Sequence, residues 1–68
     1  MITEIGFTAG DIWHYLDKHG EVYLAKIVKE INKPKDVVFM SIGWLAREGH
    51  VILTKVGKDY KVKLRSKT

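Results

Sequence analysis

The side chains best able to do chemistry in this chain are its cations, and they are unevenly placed. Over residues 55–68, Lys55, Lys58, Lys61, Lys63, Arg65 and Lys67 stand against Asp59 alone, a local charge of +5. Residues 1–54 carry six basic and seven acidic side chains, so the net +4 of the chain sits at its carboxyl end. Cations at that density draw an anionic partner, and neutralising phosphates is the first chemistry they offer. Catalytic groups are sparse by comparison. His14 and His19 are five residues apart, off the i, i+4 spacing that lets two helical imidazoles share a metal. His50 belongs to another element, and no carboxylate joins the three in a metal-ligand pattern. Surface or half-buried imidazoles are the expected state. Ser41 has no glycine-flanked elbow, so packing is its expected role rather than nucleophilic attack. With no cysteine, disulfides, thiolate metal sites and a cysteine nucleophile are excluded. The six glycines form no loop that would cradle a phosphate. The reading is of a non-enzyme with no cofactor, no metal and no small-molecule ligand.

Sixty-eight residues make one domain, 1–68, with 46% hydrophobic and 29% charged side chains, which is ordinary globular usage. A chain this short buries only about 60% of the surface its unfolded form exposes, so its large apolar residues are expected to share one core. The longest apolar runs are far short of a membrane span. The amino terminus has no signal-peptide pattern, and a cytoplasmic, reducing location is expected.

The elements that must position the cations follow from apolar periodicity. Ala9, Ile12, Trp13 and Leu16 draw one stripe over a helix at 8–19, with Thr8 as cap and Asp11 in the first turn. Gly20 stops it. Glu21-Val22-Tyr23-Leu24 is a short strand or extended link. Leu24, Ile27, Val28 and Ile31 mark a second helix over 24–32. Pro34 suits the first turn of a third, which runs to Glu48 and ends at Gly49. On that helix Val38, Ser41, Ile42 and Leu45 form the core face. Asp36, Met40, Gly43 and Arg47 lie opposite, with Phe39 and Trp44 on the flanks. Beyond Gly49 the period changes to two. Residues 51–56 and 60–65 read as strands joined through Gly57-Lys58-Asp59, by a loop of two or three residues. In either register Tyr60, Val62 and Leu64 face inward, while Lys61, Lys63 and Arg65 face water.

The order is helix, strand, helix, helix, strand, strand: a mostly α chain with a small antiparallel β-hairpin. Two blocks carry a resemblance to the winged helix-turn-helix superfamily. Ile42-Gly43-Trp44-Leu45-Ala46-Arg47-Glu48-Gly49-His50-Val51 resembles the end of the third helix and the entry to the wing. Gly20-Glu21-Val22-Tyr23-Leu24-Ala25-Lys26-Ile27 resembles the strand leading into the second helix. Gly43-Trp44-Leu45-Ala46-Arg47-Glu48 also resembles a family of small stand-alone winged-helix proteins of bacteria and archaea with no assigned function. The resemblance implies a small transcriptional-regulator-type module on double-stranded DNA, with the third helix toward the major groove and the wing on the backbone. Carried over, Lys35, Asp36, Phe39, Met40, Gly43 and Arg47 face the groove, with Lys35 and Arg47 nearest the bases. Lys55, Lys58, Lys61 and Lys63 are the wing contacts.

Two features pull the other way. Between Pro34 and Glu48 the net charge is zero, and base edges are read by Arg, Lys, Asn and Gln, of which that helix has only Arg47 and Lys35. Phe39, Met40 and Trp44 beside Gly43 have the composition of a protein-contact surface, either for a homodimer or for a partner protein; filling gaps in the small core is the competing role, and for Trp44 the favoured one. The terminal lysines, for their part, could simply protect a solvated edge strand.

Overall fold

The computed structural model describes residues 2–65; Lys67, counted above among the cations, lies outside them. The elements are α1 (Ile2–His19), β1 (Val22–Tyr23), α2 (Leu24–Glu30), α3 (Lys35–Arg47), β2 (Val51–Val56) and β3 (Asp59–Leu64). Their order and type are those the periodicity predicts.

The start of α1 differs. The helix begins at Ile2, more than a turn before Thr8, so Thr8 is not a cap. It lies inside the helix, only 1% exposed, and Glu4 rather than Asp11 is the carboxylate of the first turn. The cause is tertiary. Ile5 and Thr8 continue the Ala9–Ile12–Leu16 stripe backward, and α1 packs along α3. There the Ser41 hydroxyl donates to the Ile5 carbonyl at 3.3 Å. That burial outweighs the roughly 1 kcal/mol by which each of Gly6 and Gly10 disfavours a helix.

α3 ends in a Schellman motif. Gly49 takes φ +78°, its N–H donates to the Ala46 carbonyl, and the His50 N–H donates to that of Leu45. Val38, Ser41, Ile42 and Leu45 are buried as expected, and Val37 joins them. The Ser41 hydroxyl also donates to the Val37 carbonyl at 2.7 Å, so Ser41 is a packed, satisfied core residue. Ala9, Ile12 and Leu16 of α1, Ile27 and Ile31 around α2, and Val51 and Val62 of the sheet complete one core.

Val56 pairs with Asp59, so the hairpin loop is the two residues Gly57-Lys58. Gly57 has φ +61° while Lys58 stays negative, which is the II′ pattern with glycine first. The strand order is β1-β3-β2, antiparallel throughout. The cation-rich β3 is therefore the central strand, and its lysines do not guard an edge.

Candidate nucleic-acid interface

The exposed side of α3 is the one the periodicity assigns. Asp36, Met40, Gly43 and Arg47 lie along it, all exposed. On the two flanks stand Phe39, 42% exposed, and Trp44, which at 47% exposed does not fill the core gap expected of it; Met40 is 40% exposed. Three large apolar side chains thus face outward from a helix whose cations are Lys35 at its first residue and Arg47 at its last. The Lys35 ammonium sits 5.7 Å from the centroid of the Phe39 ring, a position in which the ring's negative face favours the cation.

The strand register sorts the wing cations. Lys61 stands across from Thr54 and Tyr23, and Lys63 across from Ile52, so these two share the outer face of the sheet. Lys55 is across from Tyr60 on the other face, its ammonium 4.8 Å from that ring's centroid. Lys58 is at the loop. The wing cations therefore divide between two faces and the tip: Lys55 shares a face with its partner Tyr60, and side chains alternate along β3, so Lys61 and Lys63 take the opposite face. Lys61 is half-buried rather than fully in water, with its ammonium 5.8 Å from the Tyr23 centroid. Tyr60 points to the inward side but lies beyond the core and is exposed. Arg65 folds back: its Nη1 stands 3.0 Å from where a Cβ on Gly49 would lie. That brings a further cation to the carboxyl end of α3, where the helix dipole favours one. Sequence spacing had put Arg65 only on a water-facing strand position.

Each histidine meets an aromatic ring: His14 with Trp13, His19 with Tyr15, and His50 with Trp44. Among the described residues no cluster of three or more metal-ligating side chains forms, and no helix is long and apolar enough to cross a membrane.

Sequence reasoning missed a groove of about 680 Å³ between α2, the first turn of α3 and the wing tip. Leu24, Val28, Phe39 and Tyr60 supply its apolar walls, and Lys35, Lys58 and Asp59 its charges. Asp59 bridges two of its walls. Its Oδ1 accepts from the Ala25 N–H at 3.3 Å and from the Tyr60 N–H at 2.7 Å, tying wing to α2. The signal in the sequence was a lone carboxylate among six cations.

Comparison with known proteins places this architecture. The chain is 42% identical over 68 residues, 96% of each sequence, to the uncharacterized protein MJ1608 of Methanocaldococcus jannaschii. The solution NMR structure of protein BT2368 from Bacteroides thetaiotaomicron has the same fold, with TM-score 0.78 and 22% identity, over 91% of this chain and 76% of that one. Residues 1–64 match the family model described as a winged helix-turn-helix domain (DUF2582). With a three-helix core, a hairpin wing and a family match over nearly its whole length, this chain belongs to that winged helix-turn-helix family.

Proposed function

We propose that the domain binds double-stranded DNA as a small module of transcriptional-regulator type. α3 lies toward the major groove, with Lys35 and Arg47 nearest the bases, and the wing meets the backbone. The observation that carries this reading is the wing's charge within a winged helix-turn-helix fold: Lys58 and Lys63 are exposed and Lys61 half-exposed, at the tip and on the outer face of the hairpin. Lys55, on the other face beside Tyr60, is in reach of a backbone only if the wing lies edge-on. A lone domain with two candidate base-reading cations has little to read with, so specific binding calls for two copies on adjacent half-sites.

The test is a salt titration against random duplex DNA. Each phosphate contact contributes a slope near −0.9 in log affinity against log salt, so replacing Lys61 and Lys63 with Ala flattens the slope by about 1.8. An unchanged slope would remove the phosphate contacts from the proposal.

A second reading rests on the exposure of Phe39, Met40 and Trp44, three apolar side chains where a base-reading helix carries polar ones. In that reading α3 is a homodimer or partner-protein surface. Sedimentation separates the two: a parent that self-associates and a Met40→Asp variant that does not would favour the protein interface, and a monomer at high concentration would remove its homodimer form.

A further inference from the structure

The groove between α2, α3 and the wing has the size and chemistry of a ligand site rather than of a packing defect. Its roughly 680 Å³ falls inside the range of about 300–1,000 Å³ typical of small-molecule sites. Its walls are apolar and partly aromatic, and the cations that line it come from two elements distant in sequence: Lys35 from the first turn of α3 and Lys58 from the hairpin loop. Lys55, poised over the Tyr60 ring, adds a third positive charge at the margin.

Asp59 is the one opposing charge in the lining. Its Oδ1 is already engaged by the backbone N–H groups of Ala25 and Tyr60, and those hydrogen bonds offset the charge it presents to an incoming anion. Two lysines against one committed carboxylate leave the groove electropositive. Phe39 carries the Lys35 ammonium above its ring, so an anion reaching Lys35 arrives beside an aromatic face.

We propose that this groove binds a small aromatic carboxylate, its ring system against Phe39 and Tyr60 and its carboxylate held by Lys35 and Lys58. Apolar contact with Leu24 and Val28 supplies the less directional part of the affinity, and the two ammonium groups supply charge-assisted hydrogen bonds that select an acid over a neutral molecule. The site requires no bound DNA.

The experiment titrates the isotopically labelled protein with 2-naphthoate and, separately, with the neutral 2-naphthalenemethanol, following amide shifts. Saturable shifts are expected at Ala25, Phe39 and Tyr60, with the alcohol at least ~10-fold weaker than the acid, a factor worth about 1.4 kcal/mol. The double variant Lys35→Gln/Lys58→Gln, both positions being exposed, should lose ~10-fold for the acid and leave the alcohol unchanged. Three results would overturn the assignment: no saturable shift at the groove up to ~10 mM acid, acid binding indifferent to the double substitution, or equal affinity for acid and alcohol. The last would make the groove a plain apolar patch suited to a protein partner. None of these readouts involves DNA, so the site and the DNA-binding proposal stand or fail separately.

Discussion

Replacing Asp59 with alanine would remove from the wing a carboxylate that holds it against α2. Tyr23, at the N-cap position of α2, makes no side-chain capping hydrogen bond, so the helix takes a cap from a residue far along the chain. Asp59 Oδ1 accepts from the Ala25 N–H at 3.3 Å, a long bond at an exposed site. Loss of a capping side chain costs about 0.5–2 kcal/mol, and the length and exposure of this bond place the effect near ~1 kcal/mol. The shorter bond to the Tyr60 N–H, at 2.7 Å, is local and exposed, and water replaces much of it. In a domain of this size ~1 kcal/mol lowers Tm by roughly 4–8 °C. Asp59→Asn keeps an acceptor and gives up only the charge near the helix amino terminus, about 0.3–1 kcal/mol, so it should melt between the parent and the alanine variant. Thermal melts followed by far-ultraviolet circular dichroism, with urea midpoints as a second measure, decide the matter. If Asp59→Ala melts within about 1 °C of the parent, the wing is not held to α2 in the way described.

Thr8→Asp discriminates a helix that starts at Ile2 from one capped at Thr8. Aspartate is a good cap, but at a position only 1% exposed it buries a charge, and a loss of at least about 3 kcal/mol in urea unfolding is expected. Tyr15 has a buried hydroxyl with no hydrogen-bond partner among the described residues, so Tyr15→Phe should leave stability unchanged or raise it by about 1 kcal/mol; a clear loss would mean the hydroxyl is bonded in solution.

What the residues disclosed before any coordinates depended on how local the cause was. The inward face of α3 follows from 3.6-residue periodicity, and Val38, Ser41, Ile42 and Leu45 are all buried there. Gly20, Gly49 and Gly57 mark the breaks because each has a positive φ at the end of a helix or in the hairpin loop. Causes that act across the chain were not legible. The early start of α1 depends on α3 covering Ile5 and Thr8, which no local capping rule reports. The central place of β3 depends on β1, a two-residue strand whose partner lies far ahead in the sequence. The same applies to the candidate site. Arg47, Met40 and the flanking Phe39 follow from periodicity onto the exposed side of one helix, whereas Trp44, expected rather to fill a gap in the core, is exposed. The separation of Lys55 from Lys61 and Lys63 required the strand register, and the groove required the Asp59–Ala25 contact that joins the wing to α2.

The central position of β3 bears on how the polypeptide matures during synthesis. β1 and β2 do not pair with each other; each has β3 as its neighbour. A nascent chain that has emerged from the ribosome only as far as Gly57 therefore possesses three helices' worth of sequence and two strands with nothing between them. Val62, which fills the middle of the interior, is also still missing. Ordering of the β-layer must wait until the hairpin's return arm is free, so a prematurely terminated product ending before Asp59 would lack Val62 from the core it shares with Ile27 and Val51 and would be a substrate for proteolysis rather than a smaller working domain.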